Sequence, residues 1–222
     1  LCLTVLFLLL LSTYPLLAQE QEWQLESAVN YGDVGFDRTS HIEVAANGDV
    51  YMVVELDHPL NVIAVSKLDA NGQSQWQQLW SNQNHEVVDF QLDDDGGVLM
   101  TGIFLGSLDL DPHPLSSQIA VSAGNLDTYV IRLSQSTGQF IWGDQIGGPG
   151  DDIIDAIHAR DNELYIAGNF DGPISFDTTS SVTTVPVGLT RDVFVQKRKL
   201  SNGGYQWTEH FGGGTSVDRC FD

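Results

Sequence analysis

Gly138-Gln-Phe-Ile-Trp142 is one of three copies of a Gly-x-x-x-Trp motif, and the other two are Gly72-Gln-Ser-Gln-Trp76 and Gly203-Gly-Tyr-Gln-Trp207. With Trp23 included, the tryptophans stand 53, 66 and 65 residues apart. A repeated spacing in this range is typical of solenoids, propellers and other arrays. The motif therefore divides the chain into units of about 65 residues, and each unit should correspond to one supersecondary element.

Each unit contains short apolar runs separated by turn residues. In the best-preserved copy, Ile153–His158 is followed by Asn162–Gly168, and Asp192–Lys197 precedes the next Gly-x-x-x-Trp motif, whose Trp lies on a fourth run. Runs such as Val50–Val54 and Val62–Val65 are continuously apolar, which indicates burial on both faces and not the alternation of a two-sheet sandwich. A repeated four-stranded sheet covered on both sides by its own copies is the blade of a β-propeller. We therefore predict an all-β fold of four-stranded antiparallel blades in an incomplete ring.

The units define the predicted organisation of the chain. We place them at about 23–75, 76–141 and 142–206, with a truncated fourth unit from Trp207, so that residues 19–222 form a partial β-propeller. Two units also carry an insertion after the second strand, with a Thr/Ser-rich strand near Ile119–Ser122 and Val182–Val187. Because a propeller typically closes with about 4–8 blades, we expect the parent protein to be longer.

Residues 1–18 have the character of a targeting segment. They carry no charge, are rich in Leu, and end with Pro15 and Ala18 before the polar stretch Gln19–Glu22. This pattern is typical of the apolar region and cleavage site of a secretory signal peptide. A membrane anchor is the alternative, but a spanning helix needs about 20 apolar residues. Because the first residue is Leu1 and not Met, we expect the chain to be a fragment at its start.

Charge and cysteine content narrow the possible partners. The 30 acidic residues against 9 Lys and Arg give a net charge of -21, which disfavours nucleic acid and anionic membrane surfaces as partners. After residue 18 the only cysteine is Cys220, so no intramolecular disulfide is possible. An exported protein without disulfides indicates a bacterial export route. We predict a secreted or cell-surface protein that does not insert into the membrane after signal cleavage.

The repeat resembles the secreted bacterial β-propeller repeats known as SBBP repeats. The third unit carries the resemblance through the following residues: Trp142, Gly147-Gly148, Gly150-Asp151-Asp152, Leu164–Phe170, Phe176-Asp177, Asp192–Lys197, Gly203 and Trp207. The second unit replaces the Gly-Gly and Gly-Asp-Asp steps with Ser81–Glu86, and the first unit lacks Phe-Asp and the Asp before its third strand. The resemblance covers nearly all of residues 23–222. It implies an exported, non-catalytic scaffold or binding module for a protein or glycan ligand.

Acidic loops are the candidate metal site. Asp109 and Asp111 in the second unit occupy a place equivalent to Asp171 and Asp177 in the third, and Asp93-Asp94-Asp95-Gly96 and Asp151-Asp152 add further carboxylates. Ca²⁺ prefers roughly 6–8 oxygen ligands, and clustered carboxylates can supply them. The alternative is that these aspartates cap turns and keep the surface soluble. No complete Asp-x-Asp-x-Asp-Gly loop is present, and no other cofactor is predicted.

An enzymatic alternative rests on one segment. Thr137-Gly138-Gln-Phe-Ile-Trp142 resembles the Thr-Gly-x-x-x-Trp docking motif of quinoprotein dehydrogenases and of related outer-membrane assembly propellers. In those proteins the motif locks blades together, so the resemblance implies structure and not a cofactor. The sequence has no Gly-x-Ser-x-Gly, His-Glu-x-x-His or Cys-x-x-Cys motif, and its histidines occupy no equivalent positions in the repeat. We therefore predict no catalytic residues.

Overall fold

A computed structural model describes residues 37–56, 62–81, 84–176, 183–184 and 191–212, together with Asp218. The predicted signal segment 1–18 and the calcium candidate Asp177 lie outside this part of the chain.

The described residues form three four-stranded antiparallel sheets, which are the predicted blades. The first blade comprises β1 (Arg38–Val44), β2 (Val50–Leu56), β3 (Val62–Leu68) and β4 (Ser74–Trp80). The second comprises β5 (His85–Leu92), β6 (Gly97–Phe104), β9 (Asp127–Ser134) and β10 (Phe140–Ile146), and the third comprises β11 (Asp152–Arg160), β12 (Glu163–Phe170), β15 (Asp192–Lys199) and β16 (Tyr205–Phe211). Short hairpins follow the second strand of the last two blades: β7 (Ser107–Asp109) with β8 (Ile119–Val121), and β13 (Ile174–Ser175) with β14 (Thr183–Thr184).

The fold is all-β, as predicted, and the three described sheets do not close on one another. None of the described segments forms a helix long and apolar enough to cross a membrane. The first strands of successive blades are neighbours, because β5 contacts both β1 and β11. The blades therefore follow one another in an arc with β1, β5 and β11 on the inner side, which is the arrangement of an incomplete propeller ring.

The hydrophobic core lies between the blades. One cluster joins Val53 and Val65 of the first blade to Met100 and Ile131 of the second. Another joins Trp142 of the second blade to residues of the third. The predicted runs Val50–Val54 in β2 and Val62–Val65 in β3 are buried except at their first residues, which confirms the prediction from continuous apolar runs. The middle strands β6 and β9 of the second blade are also buried along almost their whole length. Burial in β15 alternates instead, so only one of its faces is fully covered by described residues.

Bulges recur at two places in every blade. The pairing of each inner strand shifts register at Ser40, Val88 and Asp155. Each outer strand also shifts register one residue before its Trp. A bulge adds a residue to one strand and redirects the side chains beside it. The bulges in the outer strands therefore help to set the direction in which the Trp side chains point.

The sequence units and the sheets share a period but differ in phase. The units begin at a Trp, whereas in the structure Trp76, Trp142 and Trp207 lie on the last strands of the first, second and third blades. Trp207 thus belongs to β16 of the third sheet, although the sequence repeat places it at the start of a fourth unit. The two divisions are offset by one strand.

Candidate functional site

The same geometry recurs at two blade junctions, where a Trp from one blade packs on a Gly of the next. Trp142 Nε1 donates a hydrogen bond of 2.8 Å to the carbonyl oxygen of Leu200 in the third blade. A Cβ built on Gly203 would lie 2.7 Å from the Trp142 ring, and Gly203 has φ +70°. Only Gly combines this backbone conformation with so close a contact.

The preceding junction has the same arrangement. Trp76 Nε1 donates to the carbonyl oxygen of Gln135 at 3.0 Å, and a Cβ on Gly138 would lie 2.7 Å from the Trp76 ring. Tyr51 donates to the same carbonyl at 3.3 Å and packs at a tilt against Trp76. The Gly and the Trp of one motif therefore serve opposite sides of a blade: the Gly receives the preceding Trp, and the Trp docks on the following blade.

A buried arginine adds a charged contact to the second junction. Arg198 on β15 is 1% exposed, and its guanidinium donates to Asp144 Oδ2 at 2.6 Å across the junction. It also donates to the carbonyl oxygens of Phe176 and Gly203. Removing one partner of such a buried pair strands a charge in the interior, which makes this contact structurally sensitive.

An open groove lies between the first blade and the insertion of the second. It has a volume of about 810 Å³ and runs between β4 and the β7–β8 hairpin. Its apolar walls include Leu79, Leu115 and Ile119, and Leu115 is 90% exposed. A recess of about 250 Å³ shares Asp111 and His113 with it. The loop carrying these two residues is thus accessible from two sides.

Two of the calcium candidates, Asp109 and Asp111, lie in this loop and mainly accept hydrogen bonds within it. Asp109 Oδ1 accepts from the backbone N–H groups of Asp111 at 3.2 Å and Gln118 at 2.8 Å. Asp111 Oδ1 accepts from the His113 N–H at 3.0 Å, and its Oδ2 accepts from the Ser116 hydroxyl at 2.6 Å. These contacts hold the turn of the loop and correspond to the capping role predicted as the alternative.

Of the other two candidates, the structure describes only Asp171. Asp171 lies in the third blade and forms an ion pair of 3.0 Å with Arg191, and Asp177 lies outside the described residues. Within the ranges that the structure describes, no group of three or more His, Cys, Asp or Glu side chains is arranged to hold a metal ion.

Asp127, which was not predicted as a site residue, forms a buried pair with Asp152. We refer to these two residues as the aspartate pair. Both are 0% exposed and lie where the second blade meets the third. Asp127 Oδ2 accepts from the Ala123 N–H at 2.9 Å, and Asp152 Oδ2 accepts from the Gly148 N–H at 2.6 Å. A Cβ on Gly147 would overlap the Asp127 carboxylate, so this position requires glycine.

Burial shifts the acidity of the aspartate pair. Desolvation raises the pKa of Asp127 to about 6 against the hydrogen bonds that stabilise its charged form. Desolvation also raises the pKa of Asp152 to about 7, and the nearby charge of Asp127 contributes in the same direction. Two carboxylates that resist ionisation at one junction form an electrostatically unfavourable site unless a positive charge joins them.

No protein-family model matches the chain. No curated protein matches it either. The family resemblance seen in the repeat therefore stays a prediction, and functional inference depends on the residues themselves.

The chemistry of these regions separates into two kinds. The groove offers exposed apolar side chains beside hydrogen-bonded acidic turns, which suits reversible binding of a ligand surface. The aspartate pair, whose pKa values are raised, lies at the blade junction and does not line the groove. The titratable side chains that do line the groove are those of Asp109, Asp111 and His113.

Proposed function

We propose that this chain belongs to an exported, non-catalytic β-propeller of the SBBP type that acts as an extracellular or cell-surface scaffold and binding module. The observation that carries the proposal is the groove beside the β7–β8 hairpin. A rigid blade presents an insertion there whose loop is held by its own aspartates, and the exposed residues Leu79, Leu115 and Ile119 line the opening. Binding residues are often found on loops that a rigid scaffold positions.

The groove favours a protein or glycan ligand. Its lining combines apolar side chains with serines, prolines and the turn that contains Asp111 and His113. Strong phosphate binding is disfavoured because no described Lys or Arg lines the groove and the chain carries a net charge of -21. Apolar and hydrogen-bonding contacts would then supply the affinity.

The binding proposal is tested with defined ligands. The full chain is applied to arrayed glycans and to immobilised extracellular proteins, and the Leu115→Arg/Ile119→Arg variant is compared with it. Both side chains are exposed, so the substitutions should leave the fold intact while blocking the groove. Leu105→Arg is the matched control, because Leu105 is an exposed apolar residue that does not line the groove. Equal binding by all three proteins would reject the groove.

The export proposal is tested separately. Residues 1–30, preceded by Met-Lys to supply a start and a positive charge, are fused to alkaline phosphatase in a bacterial host. This reporter needs disulfides and is active only after export from the cytoplasm. We expect phosphatase activity and cleavage near Ala18. An inactive, intracellular fusion would contradict the signal-peptide assignment.

The quinoprotein alternative gains one specific observation, since Gly138 of the Thr137-Gly138 segment does receive Trp76. This contact joins two blades, and both the scaffold hypothesis and the quinoprotein hypothesis require such a contact. It therefore supports a similar packing of blades but does not indicate a similar reaction. Reduction of an artificial electron acceptor after addition of a quinone cofactor would favour the enzyme. Absence of turnover together with groove-dependent binding would favour the scaffold.

A further inference from the structure

The aspartate pair places two buried carboxylates at one blade junction without a basic partner. Among the described residues, no Lys, Arg or His side chain forms an ion pair with Asp127 or Asp152. The charge of Asp171 acts unfavourably on Asp152, and Arg191 is engaged with Asp171 at 3.0 Å and with Asp151 at 3.9 Å. The local balance of charge is therefore negative.

Two other carboxylates with little exposed surface are neutralised by arginine. Asp93, whose side chain is 0% exposed, receives two hydrogen bonds from Arg132 at 2.8 and 3.0 Å. Asp144, whose side chain is 13% exposed, receives one from Arg198 at 2.6 Å. Buried charge normally requires a partner of this kind. Neither member of the aspartate pair receives such a contact from a described arginine.

Each member of the pair also has an oxygen with no hydrogen-bond partner. Asp127 Oδ1 and Asp152 Oδ1 are buried and accept no hydrogen bond, whereas the Oδ2 atom of each accepts one or more. A buried acceptor left unsatisfied is costly, and in native proteins such atoms are usually paired with protein, water or an ion. The two free oxygens at one junction form a ready pair of anionic ligands.

The same construction recurs one blade later. Asp192 begins β15 as Asp127 begins β9, and Gly212 approaches the Asp192 carboxylate as Gly147 approaches that of Asp127. The Asp152 N–H donates to the carbonyl oxygen of Leu126 at 2.7 Å, just before Asp127. The Asp218 N–H likewise donates to the carbonyl oxygen of Arg191 at 3.0 Å, just before Asp192. Two aspartates and a glycine thus return to equivalent places.

All three residues are replaced together at the junction between the first and second blades. Val62 begins β3 where Asp127 begins β9, and His85 begins β5 where Asp152 begins β11. Ser81 follows Trp76 by five positions, as Gly147 follows Trp142. Direct packing of Gly147 on the Asp127 carboxylate links two of these positions. Loss of both aspartates at the same junction is what a ligand shared by the two carboxylates would produce.

We propose that Asp127 and Asp152 bind a hard divalent cation, such as Ca²⁺, that joins the second blade to the third. Carboxylate oxygens are the ligands such ions prefer, and backbone carbonyls or water complete their coordination in proteins. A charge of +2 balances two carboxylates, whereas one shared proton leaves a buried negative charge. The site differs from the loop of Asp109 and Asp111, and it does not depend on the proposed binding function.

Calcium dependence is measured on the full chain after treatment with chelator, at pH 8. Titration calorimetry with CaCl₂ detects binding, and thermal unfolding followed by circular dichroism detects the structural effect. At about 100 times the dissociation constant we expect a midpoint increase of roughly 5–10 °C for a chain of this size. Mg²⁺ and Na⁺ at matched ionic strength separate specific binding from charge screening.

Isosteric variants locate the site. Asp127→Asn and Asp152→Asn each remove one anionic ligand with little change of shape, and each should abolish one equivalent of bound Ca²⁺ and most of the midpoint shift. Without metal, the same variants should be at least as stable as the unsubstituted chain, because they relieve buried repulsion. Asp94→Asn is the matched control, since Asp94 is an exposed carboxylate outside the pair. It should bind Ca²⁺ as the unsubstituted chain does.

Two outcomes would overturn the proposal. One is an unchanged midpoint with Ca²⁺ and with Mg²⁺ at pH 8, combined with a higher midpoint at pH 5.5, which would show that the pair holds a shared proton and no metal. The other is a full calcium response in both Asn variants, which would place the ion elsewhere. Neither result bears on ligand binding in the groove, so the two proposals fail separately.

Discussion

Gly203→Ala tests whether docking of Trp142 stabilises the arc of blades. The substituted Cβ would lie 2.7, 2.9 and 3.1 Å from atoms of the Trp142 ring, all shorter than a normal van der Waals contact. The ring would have to move, and its hydrogen bond to the Leu200 carbonyl would lengthen from 2.8 Å. Gly203 also has φ +70°, so Ala adds backbone strain at the same position.

The expected cost has three parts. Placing Ala in the left-handed region costs about 1–2 kcal/mol. Overpacking against the indole adds about 1–3 kcal/mol, and loss of its hydrogen bond adds about 1 kcal/mol. We therefore expect Gly203→Ala to lower the free energy of unfolding by about 3–6 kcal/mol.

Gly96→Ala isolates the docking contribution. Gly96 has φ +79°, but a Cβ there would meet nothing within 4 Å. This control should cost only the backbone strain of about 1–2 kcal/mol. Urea unfolding followed by circular dichroism gives both values, and tryptophan fluorescence of the folded state should shift to the red only in Gly203→Ala. Equal destabilisation by the two variants would refute the docking argument.

Three further predictions follow from burial and charge. Trp142→Ala should cost about 3–5 kcal/mol, whereas Trp207→Ala, at a side chain 41% exposed, should cost much less; similar urea midpoints for the two would contradict the packing argument. Arg132→Met strands the buried Asp93 and should cost about 3–5 kcal/mol, while Arg38→Met, at a side chain 69% exposed, should leave the urea midpoint almost unchanged. In chelator, the pKa values of about 6 and about 7 in the aspartate pair exceed the roughly 4 of an unfolded Asp, so the folded chain binds extra protons between these limits. The stabilisation from protonated aspartates is thus complete below about pH 4 and is lost as the pH rises through 7, by on the order of 3 kcal/mol per carboxyl. Urea unfolding at several pH values should show this loss relative to a variant with Asn at both positions. A difference in unfolding free energy between the two proteins that stays constant with pH would contradict the prediction.

The blades could be predicted from sequence because their signals are local. The Gly-x-x-x-Trp period and the continuous apolar runs report on strands within one unit, and the runs in β2 and β3 are buried as predicted except at their first residues. Which sheet each Trp belongs to was harder to predict, because Trp142 is hydrogen-bonded within the second sheet and also packs against the third. The sequence pattern reflects both contacts and does not show which of them defines the blade.

The sites were harder to predict because their geometry depends on contacts between distant residues. The sequence indicated that Asp109 and Asp111 share a loop, but the turn determines which N–H groups their oxygens accept from. Asp127 and Asp152 belong to different blades and meet only when those blades dock. One signal was present in the sequence. The Asp that begins the third strand of one unit, Asp127, is accompanied by the Gly-Asp-Asp step at the start of the next unit. A comparison of the boundaries between units would have found this pairing.

The Trp-to-Gly contact gives the array a direction. Each blade presents a Trp indole ring on one side and the Gly-containing turn that receives such a ring on the other, so successive blades join head to tail. Such a heterologous contact has no built-in stopping point, and the rotation between neighbours determines where the array closes. An in-frame duplication of one unit would bring both halves of its own joint. Whole blades could therefore be gained or lost during evolution without the invention of a new interface.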